Sequence, residues 1–75
     1  MATKAIERDD LNSCFNKAAD NEPLFILRAQ DRLAPQAVRV WAALLASESG
    51  SSQKVAEASA LAEAMEKWPT RKLPD

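Results

Sequence analysis

The chain has 75 residues, with 10 Lys and Arg against 11 Asp and Glu, so its net charge is −1; it holds one Cys, one Gly, four Pro, no His and no Tyr. That length allows one domain, since domains typically run to about 100–150 residues. The charge balance argues against a strongly basic nucleic-acid binder, and one Cys without His makes neither a disulfide scaffold nor the roughly four-ligand shell of a structural zinc.

Apolar residues make up 47% of the chain, but 15 of them are Ala. Alanine contributes little transfer energy, because each buried CH₂ is worth roughly 0.8 kcal/mol. A folded monomer of this mass is expected to expose roughly 4,500 Å² of the roughly 12,000 Å² of the open chain, which is a marginal burial. Chains in this position rely on disulfides, metals or self-association, and the composition leaves the third, so a homo-oligomer is expected. The alternative is a compact three-helix monomer. Residues 1–10 are charged and hold no apolar signal-like run, and nothing approaches the roughly 20 apolar residues of a membrane span. The expectation is a cytoplasmic protein with no membrane partner.

Taken in chain order, residues 1–5 read as a flexible tail. A first helix is predicted from about Glu7 to Ala19, with Leu11, Cys14, Phe15 and Ala18 on one apolar stripe, Asp9 and Asp10 in its first turn, and Asp20, Asn21 and Pro23 ending it. Cys14 on that stripe reads as a small buried hydrophobe. Leu24-Phe25-Ile26-Leu27 follows. Four large apolar residues in a row do not separate strand from helix by period, so residues 24–29 are either a short extended segment or an extra helical turn. As a strand the segment lacks a partner in its own chain, and pairing with its own copy across a two-fold axis would supply one.

A second helix begins near Pro35, whose fixed φ suits a first turn. Its apolar face runs through Ala34, Ala37, Val38, Trp41, Leu44 and Leu45, and Gly50 is the expected left-handed C-cap. Ser51 or Ser52 caps a third helix, from about Gln53 to Lys67. There Val55, Ala58, Leu61, Ala62, Met65 and Trp68 form the core stripe, with Ala56, Ala60 and Ala64 beside it at a spacing that lets another helix approach. Pro69 ends the helix and residues 70–75 form an extended tail. The predicted fold is mainly α: one small three-helix domain over residues 1–75, with the ambiguous segment between helices 1 and 2.

Candidate chemistry is sparse. No residue is predicted to be catalytic, and neither a metal nor a cofactor is expected: general acid–base work most often uses His, a Cys nucleophile needs a base beside it, and one Gly cannot make a phosphate-cradling loop. A helix-turn-helix reading fails on charge, since Lys54 and Lys67 share the would-be recognition helix with Glu57, Glu63 and Glu66, and phosphate contacts dominate affinity. Nucleic acid is not an expected partner. Arg28, Arg32 and Arg39 bracket the start of the second helix, where backbone N–H groups attract anions, and their guanidinium forks suit phosphate. The alternative is surface pairing with Asp31, Glu22 or Asp20. Trp41 lies close enough to offer a stacking face, though its stripe position places it in the core. Candidate interface residues are Phe25, Leu27, Ala56, Ala60, Ala64 and Trp68, since Trp and Arg are enriched at binding hot spots and small residues allow close docking.

The stretch from Glu22 to Asp31 (EPLFILRAQD), followed by Leu33-Ala34-Pro35, Val38 and Trp41-Ala42, resembles small proteins encoded in phages and prophages. The likeness extends to Lys54–Ala58 (KVAEA), Met65–Trp68 (MEKW) and Lys72–Asp75 (KLPD), and so covers about residues 20–75. It carries no assigned activity and no functional residues. It implies a phage accessory protein in a bacterial cytoplasm that acts by stoichiometric binding, either blocking a host anti-phage protein or soaking up a cyclic or other nucleotide immune signal. A virion or packaging component, in which self-assembly is the function, belongs to a different class.

Overall fold

In a computed structural model of the chain, residues 2–73 are described. They form four helices: α1 (Lys4–Asp9), α2 (Cys14–Lys17), α3 (Ala34–Ser47) and α4 (Ser52–Glu66). No strand occurs among the described residues, only an isolated parallel bridge between Asp31 and Lys72. The mainly helical expectation holds, and α3 and α4 match the second and third predicted helices within a residue or two.

The single first helix expected over residues 7–19 does not form. It is replaced by α1 and α2, and side-chain hydrogen bonding explains the break. Short polar side chains offer the backbone an alternative to helical bonding. Asp10 closes α1 instead of opening a helix, and its carboxylate accepts from the Asn12 N–H at 2.8 Å. Ser13 caps α2 by accepting from the Asn16 N–H, and its own hydroxyl donates to the Glu7 carbonyl at 2.6 Å. The Asn16 amide lies 2.8 and 2.9 Å from the carbonyls of Glu7 and Arg8. The freed C-terminal carbonyls of α1, which a continuous helix would have satisfied, are thus covered by the next turn of chain. Residues 2–5 are not a loose tail either, since Thr3 caps α1 through its hydroxyl; Met1 lies outside the described residues.

α1 and α2 pack on each other and on neither long helix. The apolar stripe predicted there is therefore not a core stripe. Cys14 is exposed, correcting its assignment as a buried hydrophobe, and Leu11 is 83% exposed.

The core lies between α3 and α4. Pro35 occupies the first turn of α3, where its missing N–H costs nothing. The buried side chains are Ala34, Pro35 and Ala42 from α3 and Ala58, Ala62 and Met65 from α4. Val38, Leu45, Val55 and Leu61 are half-buried. The predicted faces are rotated slightly from the actual contact: Trp41, Leu44 and Trp68 remain largely in water. The turn between the helices also departs from expectation. Ser49, with φ 57°, takes the left-handed position and Gly50 does not. The Gly50 N–H reaches the Leu45 carbonyl at 2.9 Å and the Ser49 N–H the Ala46 carbonyl at 3.1 Å, the bond pattern of a Schellman ending. Gly50 is needed for space instead: a Cβ there would sit 2.2 Å from Leu45 Cδ1 and 2.9 Å from the Leu45 carbonyl oxygen. Ser51 then caps α4, as expected.

Residues 23–28 form no helical turn and pair with no strand of their own chain, which removes the extra helical turn and leaves the unpartnered extended alternative. No main-chain group from Pro23 to Leu27 has a hydrogen-bond partner among the described residues. The C-terminal tail, by contrast, is tied down. The Lys72 N–H donates to the Gln30 carbonyl and the Arg32 N–H to the Lys72 carbonyl, both at 2.7 Å. Pro74 and Asp75, at the end of the predicted tail, lie outside the described residues.

Two substitutions test this turn. Ser49→Gly is expected to stabilise the chain by about 1 kcal/mol, relieving a left-handed non-glycine residue. Gly50→Ala should destabilise by about 1–3 kcal/mol, because its methyl meets backbone as well as side chain. Urea unfolding followed by helical circular dichroism measures both.

Candidate binding surface

The segment after α2 passes over the open side of the helical hairpin. Phe25 and Leu27 from this segment, Ala37, Val38 and Trp41 from α3, and Ala58 and Leu61 from α4 line a groove of about 430 Å³. That volume lies within the range of small-molecule sites, roughly 300–1,000 Å³. None of these seven side chains is charged. The groove exists because the hairpin core is built of alanine: the helices meet through small side chains, while the larger ones project to the rim. Phe25 is 86% and Trp41 52% exposed, so both rings present faces to solvent. Trp41 thereby leaves the core its stripe position suggested and keeps the stacking role open to it.

The three candidate arginines differ in their partners. Arg39 of α3 is ion-paired with Glu66 of α4, a pair that ties the two long helices together. Arg28 and Arg32 are exposed, and neither guanidinium has an ion pair or hydrogen bond among the described residues. The surface pairing weighed for them, with Asp31, Glu22 or Asp20, is not made. Asp31 is occupied locally, accepting from the Leu33 N–H at 2.8 Å at the entry to α3, and Glu22 Oε1 accepts from the Ala19 N–H at 3.2 Å. Arg28 directly follows Leu27 of the groove wall, and Arg32 lies in the turn leading to α3.

That turn is held from behind by the C-terminal tail. The Arg71 guanidinium donates to the Arg32 carbonyl at 3.1 Å and to the Met65 carbonyl at 3.4 Å. Met65 is in the last turn of α4, where a cation also meets the negative end of the helix dipole. Arg71 was not among the sequence candidates, because one of its partners lies 39 positions away and no local pattern announces it. Val38 and Leu61 were legible only as core stripe.

The remaining interface candidates fall elsewhere. Ala56 and Ala60 are exposed and Ala64 is half-buried on α4, and Trp68 is exposed just beyond its end. Arg8 and Asp9 are hydrogen-bonded to each other: the guanidinium holds the Asp9 carboxyl below its usual value and the carboxylate raises Arg8. Both groups stand in water, where such pairs stabilise little. No set of three or more His, Cys, Asp or Glu converges among the described residues, and no described helix is long and apolar enough to cross a membrane.

Arg71→Ala is expected to release the tail from the Arg32 turn while leaving α3 and α4 helical. The check is hydrogen exchange: the Arg32 and Lys72 amides should exchange at least tenfold faster, with the α4 interior unchanged, as befits local opening. Set against family models, curated proteins and solved structures, the chain matches none.

Proposed function

We propose that this chain is a non-enzymatic, self-associating protein that works by stoichiometric binding, in a phage or prophage counter-defence role, by covering a host anti-phage protein. The observation that carries the binding mode is surface. The chain exposes 6055 Å², about a third more than the roughly 4,500 Å² of a compact monomer of its mass. Its radius of gyration is 12.9 Å, against about 11 Å for compact chains of this length. Large apolar side chains stand in that surface, among them Leu11, Phe15, Leu24, Phe25, Ile26, Trp41 and Trp68. Surface of that kind marks an interaction site. The counter-defence setting, and a bacterial cytoplasmic location, rest on the resemblance of residues 20–75 to phage and prophage proteins.

A second target is favoured by a specific observation, the pairing of an aromatic groove with unpaired guanidinium groups. A nucleotide presents a flat π-face and a phosphate. Phe25 and Trp41 supply apolar faces for the first, and Arg28 and Arg32 supply forked donors for the second. On this reading the chain is a sponge for a cyclic or other nucleotide signal, and Arg39, held by Glu66, contributes to the scaffold and not to the ligand.

A thermal-shift and Trp-fluorescence titration with cyclic dinucleotides separates the two. For a sponge, ligand at a hundred times Kd stabilises by about 2.7 kcal/mol. Arg28→Ala and Arg32→Ala should each weaken binding about tenfold or more, and Arg32→Ala should do so with unfolding of the free protein unchanged. A flat titration removes the sponge. One-to-one complex formation with a purified host defence protein then supports the inhibitor; failure of both, with high copy number in purified virions, would leave the structural class.

A further inference from the structure

We infer that two copies of this chain pair through residues 24–27, as a two-stranded antiparallel ribbon with Phe25 on the two-fold axis. The inference deepens the self-association proposed above and names its mode. Three observations converge on this segment. Leu24, Phe25 and Ile26 are all exposed, consecutive, large and apolar. Their main-chain groups have no partner among the described residues. Phe25 and Leu27 line the groove while Leu24 and Ile26 do not, the alternation of period two that a strand imposes.

Unpaired N–H and C=O groups beside apolar side chains are what a second strand satisfies. Symmetry then restricts the register. A two-fold axis perpendicular to the ribbon turns identical faces to the same side, so a residue opposes one of its own parity. Setting Phe25 against its own copy puts Leu24 opposite Ile26, Pro23 opposite Leu27, and Glu22 opposite Arg28. Hydrogen-bonded and non-bonded pairs alternate along an antiparallel ladder. With Leu24 and Ile26 as the bonded pair, Pro23 falls at a non-bonded position, where its missing N–H is harmless. Glu22 of each copy then faces Arg28 of the other; an axis at Leu24 would set Arg28 against Asp20, which lies in the turn after α2, and an axis at Ile26 would set it against Leu24. Arg28 keeps donors in hand, since a carboxylate occupies at most two of its five N–H groups. The surface in excess of a compact monomer, about 1,500 Å² by the comparison above, exceeds the roughly 800 Å² per partner of a standard interface.

The test uses the full chain. Light scattering at micromolar concentration should give an even multiple of the 8.2 kDa chain mass. Ile26→Pro removes a bonded N–H twice by symmetry and should weaken association about tenfold or more. Glu22→Arg and Arg28→Glu should each weaken it, and the double variant should recover. Register is read by crosslinking in a Cys14→Ser background. Non-bonded pairs stand about 4.5 Å apart at Cα, within disulfide reach of about 4.4–6.8 Å. Oxidation should therefore crosslink Phe25→Cys and not Leu24→Cys or Ile26→Cys. A monomeric mass overturns both self-association and the ribbon. An oligomer that Ile26→Pro leaves intact, that the charge exchange fails to restore, or that crosslinks equally at all three positions overturns the ribbon alone.

Discussion

The contact between α3 and α4 is the constraint from which the rest of the molecule follows. Its buried side chains are alanines, with Pro35 and one Met. Alanine lets two helices come close, because nothing longer holds their backbones apart. The same choice limits what the contact hides. A well-filled core gains roughly 1.5–3 kcal/mol for each large aliphatic or aromatic side chain it buries, and here no large side chain is fully buried. The bulky apolar residues have been displaced from the interior to its margin. Trp41, Leu44 and Val40 stand on α3 beyond the seam, and Trp68 stands past the end of α4. What weakens the monomer equips the surface.

Around that hairpin the chain is organised by polar contacts. The Arg39–Glu66 pair spans the two helices at an exposed site. Arg71 collects one carbonyl from the end of α4 and one from the turn before α3, so the C-terminal residues bind the beginning of the hairpin to its finish. The main-chain bridge at Asp31 and Lys72 reinforces this. In consequence the turn bearing Arg32 is one of the better-anchored loops, while the preceding Pro23–Leu27 stretch is the least satisfied. A fixed guanidinium-bearing turn next to an unsatisfied apolar stretch is a sensible layout for recognition, since binding then orders little on one side and gains much on the other.

Periodicity made α3 and α4 legible almost to the residue, because fourteen- and fifteen-residue helices average over local exceptions and their caps, Pro35 and Ser51, have a local cause. The first predicted helix failed for the opposite reason. Its apolar stripe was genuine in spacing, but Asp10, Ser13 and Asn16 each hold a side-chain bond that ends a turn, and three such bonds outweigh one weak stripe that meets no facing surface. Gly50 illustrates a subtler miss. Glycine next to a helix end suggests a left-handed residue, yet the φ of 57° falls on Ser49, and Gly50 is small because Leu45 folds back over it. Of the candidate site, Phe25 and Leu27 were readable as interface candidates, and Arg28 and Arg32, together with Arg39, as anion-binding candidates. Their convergence with Val38 and Leu61 was not, since it depends on how the irregular segment crosses the hairpin.

The separation of α1 and α2 from the hairpin has a practical side. The molecule's one thiol, on Cys14, sits in solvent on α2, and neither α1 nor α2 touches the long helices. A nitroxide or fluorophore attached there rides on the amino-terminal unit alone, and Trp41 and Trp68 on the other unit provide intrinsic energy-transfer donors. The arrangement is a built-in ruler between the two parts, one that needs no engineered residue.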